Sequence, residues 1–167
     1  MSSFQIIVGS MLGGTEYVGE ACEETLIKLG HQVKIHLVPD LNTILSSTFT
    51  DEETSTNEQK TSTNSLNKIV WLICTSTHGA GDYPDNIKQF VSDLDHCSQD
   101  LSTVNFLTIG IGDSSYDTFC KAAVDISNTL KSIGCGEVTP VKTIDMSLDI
   151  DPEEIATQWL LENNDRL

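Results

Sequence analysis

Residues 69–74 read IVWLIC, an unbroken apolar run in a chain of 167 residues. A run of this length suits a strand better than a helix, and continuous apolar character is typical of a central strand covered on both faces. The run is also far shorter than the ~20 residues that a membrane-spanning helix needs. We therefore predict a buried central strand here and no membrane span.

Strands and helices alternate on both sides of this strand. Short apolar runs predict further strands at residues 4–9, 33–38, 104–111 and 137–141. Helical spacing of apolar residues predicts helices at 14–29, 84–94 and 119–133, and a last one from residue 152 onward. This alternation predicts an α/β fold with a five-stranded parallel sheet and helices on both faces. Because ligands bind outside the carboxyl ends of such strands, the loops after the first, third and fourth strands are candidate binding loops.

Between the second and third predicted strands the composition changes abruptly. In residues 46–65, 11 of the 20 residues are Ser or Thr, and acidic residues interrupt them. Such a segment buries too little apolar surface to offset the entropy lost on ordering it. We predict a single domain, residues 1–167, that carries a flexible insertion at about residues 46–66.

The chain is strongly acidic. Nine Lys and Arg residues stand against 25 Asp and Glu residues, a formal net charge of −16 at pH 7. Binding to a polyanion depends on basic patches that release counterions. The composition therefore argues against nucleic acid and against an anionic membrane surface as partners.

The amino terminus and the cysteines give two further expectations. Residues 1–5, MSSFQ, have neither the basic start nor the apolar stretch of a secretory signal, so we expect a cytoplasmic protein. The five cysteines are an odd number, widely scattered and without a Cys-x-x-Cys pair. This pattern argues against a disulfide framework or a zinc site, and we expect reduced, mostly buried thiols.

The first candidate loop, residues 9–15, reads GSMLGGT and leads directly into a predicted helix. Glycines let the backbone aim several N–H groups at one point, and the helix amino terminus adds partial positive charge. The loop therefore suits a phosphate group. It lacks both the Gly-Lys-[Ser/Thr] of a P-loop and the Gly-x-Gly-x-x-Gly of dinucleotide sites. A tight strand-to-helix turn that binds nothing is the alternative interpretation.

The second and third candidate loops, residues 75–86 (TSTHGAGDYPDN) and 110–120 (GIGDSSYDTFC), suit a planar ring. Backbone without side chains can approach a flat ligand closely, as at the glycine after His78. Tyr116 lies out of register with the buried helical positions that begin at Phe119, so its ring is free to stack on a ligand. A lone histidine in an exposed loop is a poor metal site, and we expect no metal.

Together the three loops predict a site for a mononucleotide with a planar head, and they resemble the FMN loops of flavodoxins. The similar stretches are residues 10–15 (SMLGGT), 76–82 (STHGAGD) and 110–120. The second and third are also similar to loops in the FMN domains of sulfite reductase and cytochrome P450 reductase, and the chain most resembles the MioC-type small flavodoxins. The resemblance implies a flavodoxin-like three-layer α/β/α sandwich with five parallel strands in the order 2-1-3-4-5.

The resemblance also implies roles for individual residues. The FMN phosphate would be held by the first loop, which contains Ser10, Met11, Leu12, Gly13, Gly14 and Thr15. His78 and Tyr116 stand where relatives place rings against the isoalloxazine, and the backbone of Gly79, Gly112 and Asp113 would contact the ring edges. The remaining expected FMN contacts are Ser76, Thr77, Ile111, Ser114, Ser115, Asp117, Thr118, Phe119 and Cys120. Leu12 replaces the usual Thr or Ser and removes one hydroxyl, which would weaken binding.

The resemblance implies an electron carrier of low potential that passes electrons between a reductase and an acceptor enzyme. No nucleophile and base can be paired in the three loops, so the chemistry would belong to the cofactor. Asp82, Asp85, Asp113 and Asp117 would disfavour added negative charge on the ring and lower its potential. The acidic surface favours partners with basic faces.

Two alternatives stay open at this point. Leu12 and the insertion also suit a flavodoxin-fold regulatory or interaction module with weak or lost flavin binding. A flavin enzyme with its own substrate is a further alternative, because residues 46–65 have no assigned role. A phosphoacceptor receiver domain is excluded, since the first and third strands end in Gly9-Ser10 and Thr75-Ser76 without the acidic residues it needs.

Overall fold

The computed structural model describes residues 1–49 and 68–167 of the chain. Its strands are β1 (Ser2–Gly9), β2 (Gln32–His36), β3 (Lys68–Ser76), β4 (Val104–Gly112), β5 (Gly136–Glu137) and β6 (Lys142–Asp145). Its helices are α1 (Gly14–Lys28), α2 (Leu41–Phe49), α3 (Lys88–Asp95), α4 (Lys121–Ser132) and α5 (Pro152–Glu162). Short 3₁₀ turns occur at Asp85–Ile87 and Asn164–Arg166.

The strands form one parallel sheet in the order β2-β1-β3-β4, with β5 and β6 both placed beside β4. In the centre of the sheet Ile6 is paired with Leu72, and Leu72 is paired with Leu107. The predicted order 2-1-3-4-5 is confirmed. Because every pairing is parallel, the carboxyl ends of the strands share one edge of the sheet.

The fifth position in the sheet is divided between two short strands. β5 pairs with β4 at Asn105 and Phe106, whereas β6 pairs with β4 from Ile109 to Gly112. The predicted bounds of this strand, residues 137–141, are wrong. Pro140 falls between the two segments, and proline has no N–H group to donate to a neighbouring strand. As a result β6 lies at the carboxyl end of β4, next to the third candidate loop.

The core lies on both faces of the sheet, because successive side chains of a strand point to opposite faces. On β3, Val70, Leu72 and Cys74 pack with α1 and α5, whereas Trp71 and Ile73 pack with α2, α3 and α4. All five side chains are fully buried. This arrangement is the three-layer sandwich, and it confirms a central strand that is covered on both faces.

Helix α2 was not expected from the sequence, since its second half falls in the Ser/Thr-rich segment. It begins after Asp40, whose carboxylate accepts hydrogen bonds from the N–H (2.8 Å) and hydroxyl (2.7 Å) of Thr43. It is anchored by buried Ile44 and by Thr48, whose hydroxyl accepts a bond of 3.2 Å from the indole N–H of Trp71. The predicted insertion at 46–66 thus overlaps this helix at residues 46–49, and the rest of it lies outside the described residues.

Most of the cysteines are buried, as the sequence led us to expect. All five cysteines are free thiols, and every one except the half-buried Cys97 is buried. Of the helices within residues 1–49 and 68–167, none has the length and apolar character needed to cross a membrane.

A buried histidine makes the stability of the fold depend on pH. His36, on the outer strand β2, is only 8% exposed, and its Nε2 lies 2.7 Å from the side-chain oxygen of Gln5. Gln5 can only accept there, so a neutral His36 ring donates the hydrogen bond. Burial, with a smaller contribution from nearby Lys34, lowers the pKa of His36 to about 4.

We expect the free energy of unfolding to fall as the pH drops from about 6.5 towards 4, because the unfolded chain then takes up a proton at His36 that the folded chain does not. Urea unfolding at pH 7 and pH 5 should show a loss at His36 of about 1 kcal/mol, after allowance for partial solvation. A His36→Gln variant should lose less stability than the parent chain over the same range. Equal losses in the two proteins would contradict this role for His36.

Candidate functional site

Two adjoining cavities lie at the carboxyl ends of the strands, where the three candidate loops meet. The first has a volume of about 420 Å³ and lies between the loop after β1 and the loops after β3 and β6. The second, of about 270 Å³, lies between the loop after β3 and the loop after β4. Thr77 lines both cavities, so they adjoin at the edge of the sheet.

The loop after β1 presents a helix amino terminus to the first cavity. Gly13, the cap residue of α1, has a φ of 87°, a backbone conformation that favours glycine, and as a glycine it has no side chain to cap the helix. The first N–H groups of a helix have no partner within the helix. The N–H of Glu16 donates to the carbonyl of Gly13 at 3.1 Å, so the N–H groups before it in α1 are the ones available to an anion. The helix dipole favours negative charge at the same place.

Asn86 braces this loop from the neighbouring segment. Its side-chain oxygen accepts a hydrogen bond of 2.9 Å from the N–H of Ser10. Its side-chain nitrogen donates to the carbonyls of Val8, at 2.8 Å, and Leu37, at 3.0 Å. One half-buried amide thus ties the ends of β1 and β2 to the segment before α3, and the Ser10 hydroxyl in turn accepts a bond of 3.0 Å from the N–H of Gly13.

The loop after β3 forms a tight turn that leaves the His78 ring exposed. The N–H of His78 donates to the carbonyl of Asp82 at 2.8 Å, and the N–H of Asp82 donates back at 2.7 Å. Gly79 and Gly81 have φ values of 52° and 105°, which a side chain would strain. The hydroxyl of the preceding Thr77 accepts a bond of 3.1 Å from the N–H of Ala122 and so caps helix α4.

The loop after β4 presents Tyr116, which is 66% exposed, at the second cavity. The carbonyl of Asp113 accepts a hydrogen bond of 3.2 Å from the N–H of Tyr116, which closes a turn. A Cβ atom on Gly112 would lie 3.1 Å from the Phe119 ring, so a side chain here would push this ring away by a few tenths of an ångström. Burial raises the pKa of the Cys120 thiol to about 11, so it is not a nucleophile at neutral pH.

The structure brings most of the predicted residues to these two cavities. The first is lined by the predicted residues Ser10, Met11, Leu12, Gly14, Thr15, Ser76, Thr77, His78 and Ile111. The second is lined by Thr77, Gly79, Gly112, Asp113, Tyr116, Thr118, Phe119 and Cys120. The predicted residues that line neither are Gly13, Ser114, Ser115 and Asp117. His78 and Tyr116 therefore lie in adjoining cavities, and Phe119, expected in the core, is half-buried at the second.

The first cavity also has a wall that sequence reasoning missed. It consists of Tyr17, Val18, Met146, Pro152 and Glu153. The first two lie on α1 directly after the predicted loop, and the others follow β6. Since β6 is parallel to β4, the residues after it reach the same edge of the sheet. The carboxyl end of the fifth strand was the signal that could have identified them.

The charge at the site is negative. Among the residues that the structure describes, no Lys or Arg lines either cavity, whereas Glu153 lines the first and Asp113 lines the second. The Nζ of Lys88 lies 2.5 Å from the Oδ1 of Asp85, and this exposed ion pair lowers the pKa of Asp85. Within residues 1–49 and 68–167, no three His, Cys, Asp or Glu side chains converge in a way that could hold a metal ion.

Comparison with known sequences identifies one family. A sequence model of the flavodoxin family matches residues 6–159. The chain is 34% identical to the MioC homolog of Haemophilus influenzae over 155 residues, which cover 93% of this chain and 92% of that protein. It is 35% identical to MioC of Escherichia coli K12 over 163 residues, 96% of this chain and 95% of that protein.

More distant similarity agrees with these matches. The chain is 29% identical over 93% of its length to the sulfite reductase flavoprotein alpha-component of Bacillus subtilis, and the match covers 22% of that protein. Among solved structures, a cysteine-to-alanine mutant of flavodoxin from Pseudomonas aeruginosa superposes with a TM-score of 0.81 at 25% identity. The superposition covers 99% of this chain and 98% of that structure.

We expect Asn86→Ala to destabilise the fold by about 2 kcal/mol, because it removes three hydrogen bonds and leaves a half-buried N–H and two carbonyls without a partner. Urea unfolding at pH 7 measures the change. Asn128→Ala, which removes an exposed amide on α4, is the matched control and should change stability by less than about 0.5 kcal/mol. Equal stabilities of the two variants would show that Asn86 does not brace the loop.

Proposed function

This chain belongs to the flavodoxin family, and on that basis we propose that it binds FMN and carries electrons at low potential between a reductase and an acceptor enzyme. The observation that carries the proposal is the pair of adjoining cavities at the edge of the sheet. A helix amino terminus without a side-chain cap opens on one cavity, and an exposed tyrosine lies at the adjoining one. A phosphate and a flat ring are the two ligand parts that such a site suits.

The phosphate of FMN would be held by backbone groups rather than by a positive side chain. The start of α1 supplies N–H groups and the helix dipole, and the hydroxyls of Ser10 and Thr15 line the same cavity. Leu12 lines this cavity and is 98% exposed, and its side chain has no hydroxyl to donate to a phosphate. The residues present therefore fit a phosphate group, with one hydroxyl fewer than the usual Thr or Ser would provide.

The ring of FMN would lie across the loops after β3 and β4. Tyr116 offers an exposed aromatic face, and Gly79 and Gly112 allow the backbone to approach a flat ligand closely. His78 lines the cavity on the phosphate side. We propose that these two side chains contact the ring from neighbouring positions and leave one edge of it accessible to partner proteins.

Bound FMN supplies one- and two-electron transfer, and the protein orients the cofactor and sets its electrostatic surroundings. Among the described histidines, none bonds to a serine hydroxyl or a cysteine thiol that could act as a nucleophile. Exposed Asp82 and Asp117 bring negative charge to the edge of the site and disfavour further negative charge there, whereas the charge of Asp85 is balanced by Lys88. A destabilisation of ~1.4 kcal/mol lowers a one-electron potential by about 59 mV.

Partner proteins would be selected by charge. A net charge of −16 attracts proteins with basic docking faces, which raises the rate of encounter more than the final affinity. We propose a flavodoxin reductase as electron donor and an enzyme with a similarly basic face as acceptor.

Addition of FMN to the purified chain should produce a bound flavin with a shifted visible absorption spectrum. We expect Tyr116→Ala to raise the dissociation constant of FMN about 2- to 13-fold, because stacking on an aromatic ring contributes ~0.5–1.5 kcal/mol. Val124→Ala, which removes an exposed side chain from α4, is the control and should leave the constant unchanged.

Failure of the chain to take up FMN would overturn the proposal and favour a flavodoxin-fold interaction module. Turnover of a small substrate by the loaded protein, without a partner, would instead favour an enzyme with its own substrate. Binding of FMN with Tyr116→Ala as tight as the parent chain would place the ring elsewhere in the site.

Reduction of the loaded protein by a flavodoxin reductase should slow as ionic strength rises from about 0.01 M to about 0.15 M, since salt screens the attraction between opposite charges. Asp117→Asn should slow the reaction at low salt about twofold, because Asp117 is exposed beside the proposed ring site. Asp165→Asn, at the opposite edge of the sheet, removes the same charge and should change the rate less. Equal effects of the two variants would show that net charge alone matters.

A further inference from the structure

A strand that the family motifs do not include ends against the proposed ring loop. β6 pairs with the last residues of β4, so that Gly112 is opposite Asp145. Beyond that pair the N–H of Met146 donates a short hydrogen bond of 2.7 Å to the carbonyl of Gly112. The chain after β6 is therefore fixed to the point where the loop after β4 begins.

The carboxylate of Asp145 extends this link into the loop itself. One of its oxygens accepts hydrogen bonds of 3.0 Å from the N–H of Ser114 and from the N–H of Ser147. The hydroxyls of these two serines lie 3.3 Å apart. Hydrogen bonds from Ser114, and then from Ser147, hold the pKa of Asp145 well below its usual range. The carboxylate is therefore charged at neutral pH, where a charged acceptor makes the stronger hydrogen bonds.

A hydrogen bond to Ser114 constrains the turn that carries Tyr116. It lies inside the turn that the carbonyl of Asp113 closes with the N–H of Tyr116. Asp113 also bonds within this turn, through its carboxylate, to the N–H of Ser115 at 2.9 Å. The bonds of Asp113 shape the turn but do not attach it to the sheet, whereas the bond from Ser114 to Asp145 does.

We propose that Asp145 is a positioning residue, which holds the turn of residues 113–116 against the end of β6 so that Tyr116 presents its ring to the flavin. This inference rests on the proposed function. It adds a residue outside the three loops, which acts on the cofactor through Ser114 and Tyr116 and does not line either cavity. The loss of Asp145 would let Tyr116 sample orientations in which stacking fails.

Three variants separate the hydrogen bonds of Asp145 from its charge. Asp145→Ala removes both, whereas Asp145→Asn keeps a side-chain oxygen that can accept from Ser114 but removes the charge. Asp149→Asn removes a charge from an exposed residue of the same loop and is the matched control. We expect the dissociation constant for FMN to rise in Asp145→Ala by a factor that approaches but does not exceed that of Tyr116→Ala, about 2- to 13-fold. It should rise by a smaller factor in Asp145→Asn, and by the smallest factor in Asp149→Asn.

Riboflavin lacks the phosphate, so its binding shows whether Asp145 affects the ring site or the phosphate site. If Asp145 acts on the ring loop, Asp145→Ala should raise the dissociation constants of riboflavin and FMN by the same factor. The emission of bound FMN gives a second readout, because contact with a tyrosine ring quenches flavin fluorescence. Asp145→Ala should therefore recover part of the emission that Tyr116→Ala recovers in full, and Asp145→Asn should restore most of the quenching.

A double-mutant cycle between Asp145 and Tyr116 tests whether Asp145 affects FMN binding through Tyr116. If Asp145 works through Tyr116, the double variant should bind FMN only slightly more weakly than Tyr116→Ala alone. The two effects on FMN binding are then not additive. Additive effects, or an Asp145→Ala protein that binds FMN like the parent chain, would overturn the inference. The proposed function fails separately, when the parent chain itself binds no FMN. Circular dichroism and thermal unfolding identify any variant that is not folded, in which case Asp145→Asn alone carries the test.

Discussion

Parallel pairing of β1, β3 and β4 is the constraint on which the rest of the molecule depends. The central residues of these strands are buried on both faces and pack in the core, so that only residues at the carboxyl ends, such as Ser76 and Ile111, line the cavities. Because the strands are parallel, their carboxyl ends share one edge, and every loop that leaves them opens there. The site is thus a consequence of strand direction, and its chemistry is left to the loops.

The acidic composition of the chain and the lack of basic side chains among the described residues of the site have the same electrostatic effect, since both make the surroundings of the site negative. A phosphate held by lysine would place a positive charge near the ring and favour its reduction. Backbone N–H groups at the start of α1 would bind a phosphate without adding a full positive charge. The proposed low potential and the proposed docking of basic partners both agree with a site whose described lining has no Lys or Arg.

Apolar runs and glycine-rich turns are local signals, and they allowed the parallel sheet and the three loops to be predicted, whereas the strand order and most of the site residues were implied by the resemblance to flavodoxins. Helix α2 was missed since Ser and Thr at its end resemble the segment that follows, whereas its stability comes from contacts such as that of Thr48 with Trp71. Pro140 could have indicated the break between β5 and β6. The far wall of the first cavity was missed with it, because Met146, Pro152 and Glu153 follow that break.

What no local pattern contains is the bracing of each loop by a residue from another segment. Asn86 holds the loop after β1, and the Thr77 hydroxyl in the loop after β3 caps α4. Asp145 holds the loop after β4. Each bond joins groups at least 31 residues apart in sequence, so it forms only once the sheet has brought them together. A loop braced in this way is already ordered before a ligand arrives, and binding then costs less conformational entropy. The glycines allow the loops several backbone conformations, and hydrogen bonds from other parts of the fold select one of them.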